Sequence, residues 1–224
     1  MGILTFFCNG YIKRKKGDQH KNSQTGRGPA SPGLFVLRSV HGENILKKET
    51  IFVVGGCKSG KSRHALELAE QIRCDKRIFV ATCVPYDDEM KKRVALHQKE
   101  RCRSWSAIDV PVLVPEAIME NNQKENVIIV DCLTLWINNL IMELEDPEKI
   151  SVHIKRLVES IEKAICSVVL VSNEVGTGIV PENKLARLFR DLAGAANQNV
   201  AKACDTVVWM VAGIPVPVKK TRTI

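Results

Sequence analysis

No apolar run in the 224-residue sequence approaches the roughly 20 residues that a membrane-spanning helix requires. Stable membrane insertion is therefore not expected. The opening ILTFFC is too short and wrongly flanked for a secretory signal, and MGILTF lacks the Ser or Thr at its sixth position that N-myristoylation uses. Paired cysteine spacing is missing too. Cys8, Cys57, Cys74, Cys83, Cys102, Cys132, Cys166 and Cys204 stand far apart, without the short intervals of zinc or redox sites. Reduced, mostly buried thiols in a soluble cytoplasmic protein are the expectation. No internal repeat is evident, which sets solenoids and arrays aside.

The excess of basic charge, +8 in all, does not belong to the body of the chain. Residues 1–50 hold nine Lys or Arg against three Asp or Glu, a balance of +6, so the remaining chain carries only +2. A nucleic-acid-binding body is not expected on this distribution. The segment IKRKKGDQHKNSQTGRGPASPG is polar and rich in Gly and Ser, and it predicts a flexible basic extension over residues 1–50. Two further readings of the extension stay open: contact of its KRKK run with an anionic surface, and a translation start placed too far upstream. The remaining residues, 51–224, suffice for the core of one globular domain.

From residue 51 short apolar runs alternate with helical periodicity, the pattern of an α/β fold whose mostly parallel sheet is covered by helices on both faces. TIFVVGG reads as a first buried strand, KSRHALELAEQI as a helix, and RIFVAT, from Arg77 to Thr82, as a second strand. A helix is predicted from Asp87 to Arg101, and VLVPEAIMENN is a further helical stretch. NVIIVD, from Asn126 to Asp131, reads as a central strand; SVVLVSN and TVVWMVAG supply two more. Helices are expected to begin near Pro147 and Asn183.

Between the first strand and the first helix, GGCKSGKS fits the phosphate-loop pattern G-x-x-x-x-G-K-[ST] in the strand-to-helix context that the pattern requires. Gly55 and Gly60 permit the tight turn, and the backbone amides of Gly56, Cys57, Lys58 and Ser59 with the helix N-terminus are expected to face phosphate oxygens. Lys61 adds a mobile positive charge. Ser62 offers a hydroxyl to Mg2+, and Asp131, at the end of another strand, is the candidate carboxylate for the same ion. As an alternative, Asp131 caps the helical run that follows it.

The Asp87 to Arg101 helix carries a stripe of Met90, Val94, His97 and Arg101, spaced by four, three and four, with an acidic DDE at its start. On spacing alone a packed core histidine is the commoner reading of His97. His64, on the helix after the phosphate loop, is a weaker candidate for chemistry.

GGCKSGKSRHA, VATCVPYDDEMKKRVALHQKER, VDCLTLWINNLI and the long segment from VSNEVGTGIVPEN to VPVK recur in order over roughly residues 51–219. In these pieces the chain resembles the bifunctional adenosylcobinamide kinase and adenosylcobinamide-phosphate guanylyltransferase of cobalamin biosynthesis. It departs from the usual pattern at Cys57, at Cys102 and in the N-terminal extension, without losing any proposed chemical group. The resemblance implies phosphorylation of adenosylcobinamide by a nucleoside triphosphate, GTP or ATP, followed by transfer of GMP from GTP to give adenosylcobinamide-GDP. It also implies a histidine that carries GMP covalently, which falls on His97, and a homotrimer holding the corrinoid between subunits.

Thr82, Cys83 and Val84 are expected to line the nucleotide cleft, because ligands of parallel sheets gather beyond strand C-termini. Gln98 joins the expected nucleotide set. Asp109 is a candidate for a guanine edge and Arg101 for phosphate charge, each with a surface-charge alternative. Glu174 and Asn183 are candidates to face the substrate or a neighbouring subunit. Two other functions stay open: a small-molecule kinase or NTPase in which His97 only packs, and a GTP-dependent binding protein.

Overall fold

The computed structural model describes residues 48–85, 88 and 104–220. Apart from Asp88, the predicted Asp87 to Arg101 helix lies outside the described residues, and with it His97, Gln98 and Arg101.

The elements follow in alternation: β1 (Thr50–Gly55), α1 (Lys61–Gln71), β2 (Lys76–Ala81), β3 (Trp105–Asp109), α2 (Val114–Glu120) and β4 (Asn126–Asp131). Then come α3 (Leu133–Leu144), α4 (Pro147–Lys163), β5 (Ser167–Asn173), α5 (Lys184–Ala203), β6 (Thr206–Val211) and β7 (Ile214–Lys220). Seven strands form one sheet in the order β3-β2-β4-β5-β1-β6-β7. All neighbours run parallel except β6 and β7, which form an antiparallel hairpin at one edge.

The central strands are continuous apolar runs because both their faces are covered. Ile51 and Val53 of β1 pack with Ala65 and Ala69 of α1 on one face. Phe52 points the other way, into a larger core with Ile118 of α2, Trp136 and Leu140 of α3, Leu157 of α4 and Val200 of α5. Each such large side chain, fully withdrawn from water, contributes roughly 1.5–3 kcal/mol. Helices therefore cover both faces, as the alternating pattern predicts, with four of the five described helices on one of them.

Local chemistry fixes where these helices start. Asp146 accepts from the Glu148 amide at 2.9 Å, with Pro147 in the first turn, so α4 begins at its predicted position. Asn183 accepts from the Ala186 amide at 3.1 Å and starts α5. Its side-chain oxygen thus serves as the helix cap.

Thr50, counted with the N-terminal extension by composition, is the first residue of β1. Lys48 and Glu49 are already tied to the body: Lys48 Nζ donates to the Ile161 carbonyl at 3.4 Å, and the Glu49 amide to Ser167 Oγ at 3.1 Å.

Two strands escaped the sequence pattern. β3, WSAID, is half exposed, so its apolar content is low. β7, IPVPVKK, contains Pro215 and Pro217, which ordinarily argue against a strand but are tolerated at a sheet edge, where a missing N–H breaks no ladder. Ala212 and Gly213, both at positive φ, form the two-residue turn joining β6 to β7.

Candidate active site

β1 ends at Gly55 and the chain turns through Gly56, Cys57, Lys58, Ser59 and Gly60 into α1. Lys58 and Gly60 adopt positive φ of 56° and 87°, and no side chain caps α1. The first helical bond at this end runs from the His64 amide to the Gly60 carbonyl at 3.0 Å. The preceding amides of the first turn consequently have no intrahelical acceptor, and they carry the positive end of the helix dipole. Lys61 Nζ donates to the Gly56 carbonyl at 3.1 Å, which keeps the ammonium over the loop.

The loop is braced on two sides. The Glu174 amide donates to the Gly55 carbonyl at 3.0 Å, and the Gly213 amide donates to the Ser59 carbonyl at 3.1 Å. The β6–β7 turn is thus fastened to the loop. Ser59 is buried, and its hydroxyl lies beneath Gly55 without a hydrogen-bond partner, leaving its main chain as the part available to a ligand.

Asp131 closes β4, separated from β1 by β5 alone. The helix after it is capped by Cys132, which makes no side-chain cap bond, so the capping alternative for Asp131 is not realised. Burial, followed by the Asp131 carboxylate, pushes the Cys132 thiol up to about 11, while the Lys61 ammonium pulls in the opposite direction. Ser62, in the first turn of α1, adds a hydroxyl to this end of the sheet.

Thr82 is fully buried, with its hydroxyl turned to the main chain of Cys132 rather than into a cleft: it accepts from the Cys132 amide at 2.8 Å and donates to the Cys132 carbonyl at 2.9 Å. Cys83 and Val84 follow it at the C-terminal end of β2 and are half-buried. Asp109 ends β3 in register with Ala81, which is itself in register with Asp131. It is exposed at the same end of the sheet, two strands beyond Asp131 and four beyond the phosphate loop. His64 Nδ1 lies 3.5 Å from Glu67 Oε2, one turn along α1. Glu174 Oε1 accepts from the Gly176 amide at 2.7 Å, shaping the start of the loop after β5.

Several residues at this end carry no motif. Asn173, in register with Gly55, donates to Thr134 Oγ1 at 2.7 Å, and Thr134 Oγ1 lies 3.1 Å from Cys132 Sγ. Asn139 donates to the carbonyls of Thr82 and Pro111 at 2.8 and 2.9 Å. A polar residue within a predicted apolar helix, as in LTLWINNLI, is the signal that marks Asn139.

Residues 51–218 match the family described as cobinamide kinase / cobinamide phosphate guanyltransferase. The chain belongs to this family. The bifunctional adenosylcobalamin biosynthesis protein CobU of Salmonella typhimurium is 38% identical over 184 residues, covering 75% of this chain and 99% of that protein. CobP of Pseudomonas aeruginosa, also named a bifunctional adenosylcobalamin biosynthesis protein, is 34% identical over 170 residues, covering 75% of this chain and 95% of that one. Among solved structures, the flagellar accessory protein FlaH from Methanocaldococcus jannaschii aligns with a TM-score of 0.40 and 15% identity, over 77% of this chain and 78% of that one. Membership of the cobinamide kinase / cobinamide phosphate guanyltransferase family makes this enzyme a transferase of cobalamin biosynthesis. Among the described residues, no helix is long and apolar enough to cross a membrane.

Proposed function

We propose that this enzyme phosphorylates adenosylcobinamide with GTP or ATP and then transfers GMP from GTP to the product through a covalent GMP on His97. The uncapped first turn of α1, on a loop that leaves β1 two places along the sheet from β4 and its terminal Asp131, supports the nucleotide half of this reading, and the family match supports the acceptor.

The main-chain amides of Gly56 to Gly60 and the first turn of α1 receive the triphosphate, and Lys61 balances its charge. Ser62 and Asp131 contribute a hydroxyl and a carboxylate, hard oxygen donors that fit Mg2+. Among the described residues no cluster of three His, Cys, Asp or Glu forms a metal cage, in keeping with an ion held mainly through phosphate oxygens. When bound, Mg2+ neutralises charge developing on the transferred group. Cys83, Val84, Gln98 and Arg101 are assigned to the nucleotide, and Asp109 to its guanine edge.

In the kinase step the aminopropanol hydroxyl of adenosylcobinamide attacks the γ-phosphorus. A new P–O bond forms, the bond to the β-phosphate oxygen breaks, and the hydroxyl proton passes to solvent. In the guanylyl step an unprotonated ring nitrogen of His97 attacks the α-phosphorus of GTP and expels pyrophosphate. A phosphate oxygen of the first product then attacks the same phosphorus and breaks the P–N bond, releasing His97 and giving adenosylcobinamide-GDP. The covalent stage divides one difficult transfer into two easier ones. We further assign a homotrimer, checked by sizing in solution, a cytoplasmic location, and a basic extension dispensable for both reactions.

The test is incubation with GTP labelled at the α-phosphate. Acid-labile, base-stable label on the wild-type chain, absent in His97→Ala, is expected. With adenosylcobinamide as acceptor, His97→Ala should make the phosphate and not the GDP form. An intact second step in the variant would place the nucleophile elsewhere.

A further inference from the structure

The peptide that follows Asp131 has both of its polar groups held by a single residue of the neighbouring strand. The Thr82 amide donates to the Asp131 carbonyl at 3.2 Å, and Thr82 Oγ1 accepts from the Cys132 amide at 2.8 Å. The same hydroxyl donates to the Cys132 carbonyl at 2.9 Å, so it serves as acceptor and donor to one residue at once. Thr82 is itself pinned, because Asn139 Nδ2 donates to its carbonyl at 2.8 Å from the middle of α3. All of this is sealed from water: Thr82 is 0% exposed and Asn139 6%.

Inter-strand pairing of β2 with β4 ends at Ala81 and Asp131. Beyond it the backbone of β4 would be free to choose its exit direction, and with it the direction in which the Asp131 carboxylate leaves the sheet. The Thr82 hydroxyl removes that freedom. A second anchor lies on the opposite side, where Cys132 Sγ meets Thr134 Oγ1, which in turn receives Asn173 Nδ2. A buried hydroxyl satisfied twice by main chain does more than fill space, since an apolar replacement would strand the Cys132 amide out of reach of water, while the Cys132 carbonyl would keep the Trp136 amide as its donor at 3.1 Å.

We propose that Thr82 is a positioning residue for the Asp131 carboxylate, fixing its aim at the cation carried by the bound nucleotide. The inference rests on the reading above, in which Asp131 holds that cation. Thr82 then acts without touching nucleotide or metal. Its variants should damage metal binding and leave metal-free nucleotide binding alone.

The experiment uses the full chain, the non-hydrolysable analogue guanosine 5′-[β,γ-imido]triphosphate, and Mn2+ read by its electron paramagnetic resonance signal. Thr82→Val, which keeps the shape and deletes the hydroxyl, should raise the Mn2+ dissociation constant of the ternary complex by about tenfold or more, as loss of a ligand-orienting partner does. Thr82→Ser should stay within about twofold of wild type, because it keeps both hydrogen bonds. Affinity for the analogue in EDTA should be the same in all three proteins. Wild-type Mn2+ binding in Thr82→Val overturns the proposal. Should Thr82→Val not fold, Thr82→Ala decides in its place, and failure of both to fold beside a folded Thr82→Ser would assign the hydroxyl to stability and overturn the positioning role. Asp131→Asn is the control: if it binds Mn2+ as wild type does, the metal assignment of Asp131 fails, an outcome distinct from failure of Thr82→Val alone.

Discussion

A Cβ built on Gly55 would stand 2.6 Å from the Met210 carbonyl oxygen, closer than any real Cβ contact. The last residue of β1 is therefore pressed against β6 at the point where the phosphate loop begins. Gly55→Ala should push the loop off β6 and abolish measurable nucleotide binding by titration calorimetry. Gly56, whose Cβ would meet nothing within 4 Å, is the comparison, and Gly56→Ala should keep a wild-type melting temperature.

Among the described residues Lys61 Nζ donates to one acceptor, the Gly56 carbonyl of its own loop, so its removal should leave stability nearly unchanged. Lys61→Met is expected to melt within a few degrees of wild type and to lose both the kinase and the guanylyl transfer by about a hundredfold or more, the scale for loss of a charge that stabilises a phosphoryl transition state. Parallel melting curves and product assays check it.

Phosphate loop and central strands were legible in the sequence because each is a local pattern: the glycines and Lys61 at fixed spacing, and runs such as NVIIVD buried on both faces. The two edge strands were not, since WSAID and IPVPVKK gain their pairing from β2 and β6 rather than from their own composition. Thr82, read as the last residue of a strand, directly follows β2, and the direction of its hydroxyl depends on Cys132, fifty residues away. The start of α5 near Asn183 was legible, whereas the bond from the Ala186 amide that makes Asn183 its cap is seen only in the fold.

Lys219 reaches from β7 across the end of α5, where Nζ donates to the carbonyls of Ala201, Lys202 and Cys204 at 3.0, 2.8 and 2.6 Å. The ammonium satisfies orphan carbonyls and complements the negative end of the helix. Lys219→Met should lower unfolding free energy by about 1–2 kcal/mol, measured by chemical denaturation, with catalysis retained.

Burial holds the Cys204 thiol up to about 12 and the Cys132 thiol up to about 11, against an ordinary value of 9.0. The folded state keeps both protons where the unfolded chain releases them. Their contribution to stability is present in full below pH 9.0 and is lost as pH rises through the folded values. Denaturation midpoints should accordingly fall between pH 9 and 11. At pH 8, alkylation mapped by mass spectrometry should find exposed Cys57 modified, with Cys132 and Cys204 protected until the chain unfolds.

One strand's width sets the working gap of this enzyme. Because β5 stands between the loop-bearing strand and the strand ending in Asp131, those two lie about 10 Å apart, two inter-strand spacings. Hydrogen-bonded backbone sets that separation, and no exchange of side chains can shorten it. Under the proposed function, in which a triphosphate bridges the two, a preference between purines has to be exercised farther along the rim, leaving donor choice free to drift while the phosphate geometry stays constant.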